Sequence, residues 1–455
     1  MNILLWWKKI REKARNFDFF GIGPCIIVFY LLLFFFKPFL LFLNFLLGWD
    51  FGPRYSSWIG YEISYRALFY LALGLIFLIF GYFSPLSKLS IKRLPNILKK
   101  EWNFKIVPWV FGICFTAGTA TKILRIWGGT YYYLQTLSPW LTKSLWYGVV
   151  GYLDWLSYIA LVIAFASYFY LEKNKDDRYR LWRKVAWGAF AVEIIYALPM
   201  CGKSEVIVPT ILYFIVKSYL SNIKWWKIVA VGFIVSIFLF PYGNVCRNPK
   251  ILGTYSIVKE SPVSITTPVS ITKATKYNVN FRNTPLFIFD SFLSRMDQSI
   301  LFSKIIEKYP PFLYGKPLLK FFLAFPPRIL WKNKPVINMD GNAFGHYVGI
   351  LSSGDKLTYV GPTMVGDWYM NFGVAGIIFG MLFMGFLWRI FYEYLIKGTG
   401  LSLSGVLIYS IVWVLIVESI GADIAPVYAG LVKFLIILLI IHFFLTRQFK
   451  KSPNL

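Results

Sequence analysis

Apolar runs of about 18 residues or more recur along the whole chain, and that is the length an α-helix needs to cross the hydrocarbon core of a bilayer. Within that core every backbone N–H and C=O must find a partner inside the protein, so such runs cross as helices. Spans are read at roughly 22–48, 61–83, 106–124, 146–170, 185–200, 204–220, 228–243, 361–388, 402–422 and 426–446. Composition agrees, since 57% of the 455 residues are hydrophobic and only 15% are charged. The expected fold class is an all-α polytopic membrane protein with about ten transmembrane helices. The first run follows Lys8, Lys9, Arg11, Lys13 and Arg15. It is long enough to span and lacks a small-residue cleavage pattern, so it reads as an anchor helix rather than a removable signal.

The formal charge of +27 would suggest nucleic acid in a soluble chain. Here no nucleic-acid partner is expected, because cytoplasmic loops collect Lys and Arg and an anionic lipid substrate draws cations. With the N-terminus in the cytoplasm, the inner loops hold Lys88, Lys92, Arg93, Lys99 and Lys100, then the basic run 173–184, then Lys224, Lys227 and Lys397. The short outer loops keep only Arg54, Lys122, Arg125, Lys143 and Lys203. Both termini are therefore expected in the cytoplasm, in the plasma membrane. Three regions result: residues 1–243, a membrane bundle of about seven helices; 244–360, an extracytoplasmic loop containing short helices; and 361–455, a bundle of about three helices with a cytoplasmic tail. Neither a solenoid repeat nor paired interrupted helices in the two halves is seen.

Chemistry is sought in the long loop. Its arginines Arg247, Arg282, Arg295 and Arg328 suit a phosphate, because the guanidinium fork makes two bonds at once, although the protein is basic throughout and its lysines also read as solvated charge. Apolar spacing predicts an amphipathic helix over 286–309. On it Arg295 shares a face with Ser291 and Ser299, a strip that either lines a cavity or faces water. The stretch "FPPRILWKNKPVINMDGNAFGHY" that begins at Phe325 is stiffened by Pro326, Pro327 and Pro335 and carries Arg328 and Lys334. His346 is the one base titrating near neutrality on the outer side. Lys203, in the turn "CGKSE", reads either as a snorkelling cation or as one projecting into a cavity. Thr363 and Asp367 fall near the outer end of the next span, and Glu62, Arg66, Asp154, Glu193, Glu418 and Asp423 are further intramembrane ionisable candidates, unranked for want of partners. With 21 acidic residues and only two histidines, neither a metal cage nor a cofactor is expected. Cys25 and Cys114 read as small apolar residues inside helices.

Pro327, Trp331, Lys334 and Pro335, followed by Pro362, Thr363, Gly366, Phe372, Gly373 and Gly376, resemble the motifs of the Wzy-type oligosaccharide repeat-unit polymerases, the O-antigen and enterobacterial-common-antigen polymerases. The "CGKSE" turn looks like that family's small-Gly-Arg turn, with Lys203 where Arg is usual. The resemblance implies a GT-C-like fold and a metal-independent glycosyltransferase. Its substrate would be an undecaprenyl-pyrophosphate-linked oligosaccharide, moved onto an incoming lipid-linked repeat at the outer membrane face. Membrane lipid and a chain-length regulator protein are the other partners it implies. In that scheme Arg328, with Lys334, meets the pyrophosphate; His346 or Asp297 takes the acceptor proton; and Lys203, Arg247, Arg282, Arg295 and Thr363 bind substrate. The competing readings are an O-antigen ligase delivering to a lipid core, a lipid-oligosaccharide transporter, and a purely structural membrane protein.

Overall fold

In a computed structural model the described residues are 18–47, 64–86, 96–127, 147–200, 203–221 with scattered positions up to 239, 297–309, 311–326, 331, 341–351 and 360–448. Among them the regular structure is helical throughout. The helices are α1 (Ile22–Phe34), α2 (Phe36–Leu47), α3 (Tyr65–Phe83), α4 (Val107–Trp127), α5 (Tyr147–Lys173), α6 (Tyr179–Met200), α7 (Lys203–Ser221), α8 (Ser299–Lys308), α9 (Lys316–Ala324), α10 (Gly341–Tyr347), α11 (Met364–Tyr392), α12 (Leu403–Ser419) and α13 (Ile424–Thr446). Six helical segments are long and apolar enough to cross a membrane, and α1 and α12 are shorter apolar helices. The protein is thus a polytopic helical membrane protein. The expected span 228–243 lies mostly outside the described residues, as do residues 286–296 of the amphipathic helix expected over 286–309. Its remainder forms α8.

The first apolar run is two helices. Pro38 has no N–H to give the carbonyl of Phe34, and the chain breaks at Phe35 between α1 and α2. In a bilayer, helices gain from close backbone approach, which small residues permit. On α3, a Cβ at Gly81 would collide with the Leu382 carbonyl; on α11, one at Gly385 would collide with the Leu78 carbonyl. Gly118 of α4 is pressed in the same way on the Ser157 backbone of α5. These contacts lock α3 to α11 and α4 to α5.

At one end of the bundle the N-terminal residues are tied down by polar bonds. The Asp18 carboxylate accepts from the Tyr219 hydroxyl at 3.0 Å and also from the Tyr392 hydroxyl. The Tyr409 hydroxyl donates to the Phe20 carbonyl at 2.6 Å. Asn103 reaches both Leu445 and Arg447, which fastens the start of α4 to the end of α13. His442 is buried there, 2.7 Å from the Ser404 hydroxyl, which also receives the Trp102 indole N–H at 2.8 Å.

The other end holds the feature that organises the site. α11 is interrupted at Gly373, whose φ is +63° and ψ −144°. Trp368 lies before the break, yet its carbonyl abuts Gly376 and its ring abuts Gly380. Residues eight apart in a continuous helix are about 12 Å apart along the axis. Here they touch, so the two limbs of α11 fold back side by side. Consistently, Val365 from the first limb and Ile377 from the second both approach Gly74 of α3.

Gly385→Leu is expected to lower the thermal midpoint of the detergent-solubilised protein by the equivalent of about 1–3 kcal/mol of overpacking. Gly430→Ala, where open space surrounds the glycine, is expected to leave it unchanged.

Candidate functional site

A broken helix exposes carbonyls that must be satisfied, and at this depth only protein can do it. The carbonyls of Met370 and Asn371 accept the N–H groups of Leu313 and Tyr314 at 2.9 and 3.0 Å, and the Asn371 side-chain oxygen accepts from Gly315 at 3.1 Å. Tyr314 and Gly315 both have positive φ, +48° and +79°, which turns the chain directly into α9. Helix α9 then runs against α13. Its last carbonyl, at Ala324, accepts from the Lys433 ammonium at 2.6 Å, and Lys433 also reaches the Tyr152 hydroxyl at 3.3 Å. Lys433 lies about 14 Å along α13 by helical rise from Ile424. Within the 244–360 interval, the described residues 311–326 pack onto α11 and α13. Cations that could not face lipid and backbone that could not be left bare satisfy one another.

Beside this turn sits a buried carboxyl pair. Asp367, in the first limb of α11, accepts from the Asn371 amide at 2.9 Å and from the Ile424 backbone N–H at 2.9 Å. It thereby caps α13 from another helix. Asp423, at the N-cap position of α13, makes no side-chain cap bond. Its residue is 9% exposed, and its Oδ1 has no hydrogen-bond partner among the described residues. Burial first, then the neighbouring Asp367 carboxylate, push the Asp423 carboxyl up to about 7, against the pull of Lys320 on α9.

Of the residues given roles by the family resemblance, three are described with their side chains. Thr363 is fully buried at the N-cap of α11, its hydroxyl accepting from the Gly366 N–H at 3.2 Å. Its φ of +63° is strained for a β-branched residue, a conformation that persists only where its surroundings force it. Asp297 starts α8: its Oδ1 accepts the Ser299 N–H at 3.0 Å and the Ser299 hydroxyl at 2.5 Å, while its Oδ2 pairs with Lys37 at 2.9 Å. Ser299, read as lining a cavity or facing water, is fully buried. His346 is half-buried in the last turn of α10. The N–H of Val360 bonds the Gly341 carbonyl at the start of that helix, and the next residue, Gly361, lies against Asp423. Thus α10 is tied by its base to the carboxyl pair. Arg247, Arg282, Arg295, Arg328 and Lys334 lie outside the described residues, as does the Lys203 side chain.

A second polar cluster lies where α4 to α7 meet. Lys122 pairs with Glu193, and the two residues are 2% and 1% exposed. The ammonium also stands 4.0 Å from the Tyr158 ring centre and 5.0 Å from that of Tyr196. Arg125 pairs with Asp154 next to it. These partners were illegible in the sequence, because they come from three different helices whose facing sides are set only by packing. The carboxyl pair was half legible: Asn371 and Gly373 form a helix-stop signal inside an apolar run, and Asp423 marks a helix start. Their meeting was not.

No protein-family model, curated protein or solved structure matches this chain.

Lys122→Met would leave Glu193 charged and unpaired in the interior, and is expected to cost about 3–5 kcal/mol. Lys122→Met combined with Glu193→Met is expected to recover most of that loss. A thermal-melt cycle of the two single variants and the double variant checks it.

Proposed function

We propose that this chain is a GT-C-like, Wzy-type polymerase with about ten spans. It transfers a growing glycan from undecaprenyl pyrophosphate to an incoming lipid-linked repeat, without a metal, at the outer face of the plasma membrane, with both termini in the cytoplasm. The observation that carries this reading is the tethering of the proline-rich basic stretch. One flank, Ala324, is held by Lys433 at membrane depth, and the other, α10, is tied through Val360 and Gly361 to the Asp367–Asp423 pair. The two described flanks of the stretch that carries Arg328 and Lys334 in sequence are thus held at two separate places along α13. A pyrophosphate leaving group gains negative charge as the glycosidic bond breaks, and cations placed beforehand lower that barrier. An apolar groove of about 570 Å³ between α1, α2 and α3, lined by Leu31, Phe35, Phe39 and Leu68 among others, suits the hydrocarbon tail of a lipid carrier.

The broken α11 beside buried carboxylates also favours a transporter of lipid-linked oligosaccharide, since discontinuous helices build the sites of many secondary transporters. One assay separates the two. Purified protein in nanodiscs, with a lipid-linked repeat unit and EDTA, is expected to yield a ladder of products. Arg328→Ala is expected to slow it by about a hundredfold or more. Transfer to an added lipid core instead of a ladder makes the protein a ligase. Translocation of the lipid-linked unit with no change in glycan length makes it a transporter.

A further inference from the structure

The fold leaves one oxygen of Asp423 bare. Its residue is nine-tenths buried, yet Oδ1 has no partner among the described residues. An unsatisfied buried acceptor is costly, so it is kept where a donor arrives from outside the chain. The helix that Asp423 begins does not use this oxygen, because Asp367 has taken the Ile424 N–H. A glycine approaches it closely: a Cβ at position 361 would stand 3.1 Å from Oδ1, so a larger residue there would crowd the oxygen. The two carboxylates therefore divide. Both oxygens of Asp367 are committed to donors within the protein, whereas Oδ1 of Asp423 meets none among the described residues. The charged groups that bear on Asp423 are Asp367 from α11 and Lys320 from α9.

Resting on the polymerase reading, we propose that Asp423 is the catalytic residue that accepts the proton of the acceptor sugar's hydroxyl, through Oδ1, beside Gly361. In that step the hydroxyl oxygen of the acceptor forms a bond to the anomeric carbon of the donor. The bond from that carbon to the pyrophosphate oxygen breaks, and its electron pair leaves with the pyrophosphate. The hydroxyl proton passes to Asp423 and afterwards to water. The base lies at the buried pair rather than at Asp297, whose oxygens already serve Ser299 and Lys37.

A base must be ionised to act, so the active form of Asp423 is lost as pH falls through its pKa. The test measures initial rates of ladder formation against pH for wild type, Asp423→Asn, Asp423→Glu and Gly361→Ala, with donor-lipid binding and thermal midpoint recorded for each. The wild-type rate is expected to rise with pH through about 7 and then level off. Asp423→Asn is expected to be slower by about a hundredfold or more and to lose that rise, with donor binding intact. Asp423→Glu is expected to keep the rise at a reduced rate. Gly361→Ala, which crowds Oδ1 and leaves the carboxylate in place, is expected to lower the rate while binding persists. It also serves as the deciding variant if Asp423→Asn does not fold. An Asp423→Asn or Gly361→Ala enzyme with the wild-type rate and pH profile overturns the assignment and leaves the polymerase reading standing. A wild type that makes no polymer at any pH overturns both.

Discussion

The architecture of the loop-bearing end depends on a mutual satisfaction of backbone. α11 stops at Gly373 and presents the carbonyls of Met370 and Asn371, while the chain entering α9 presents the N–H groups of Leu313 and Tyr314. In a medium without water neither set is tolerable alone, since each bare group costs several kcal/mol. Joined, they let irregular backbone exist at membrane depth. The fold-back of α11, the descent of α9 and the Lys433 contact to Ala324 all follow from that junction.

The same scarcity of water governs the charges. Lys122 with Glu193 and Arg125 with Asp154 are bound pairwise between helices and add register to the α4–α6 packing. Such pairs specify arrangement more surely than they add net stability, because desolvation offsets most of their attraction. The Asp367–Asp423 pair differs in kind. It joins two like groups, relieved by a backbone N–H, an amide and the nearby Lys320, and one oxygen remains unspent.

Much of the helical layout was legible in the chain, because apolar length alone dictates a span. Cys25 and Cys114 were readable as buried helical residues for the same reason. Breaks were harder. Pro38 lies inside a run read as one span, and Gly373 and Gly376 entered only as part of a motif, although Gly373 in fact reverses the chain. Of the candidate site, Thr363 and Asp367 were found by position. Thr363 proves to hold a strained cap, and Asp367 a cap for a different helix. Asp423 was noticed only as an intramembrane acid without a partner.

By itself the sequence determined that this chain is a helical membrane protein and where most of its described long helices lie. Those properties are local, set by runs of hydrophobicity and by helix-breaking residues. The tertiary structure alone decided that residues 312–315 seal the break in α11, that Lys433 meets α9, and that Asp367 takes the cap and leaves Asp423 an open oxygen. Each of these joins groups distant in the chain. In a bilayer such pairings are enforced by the need to satisfy every buried polar group, and which groups meet is settled only when the helices pack.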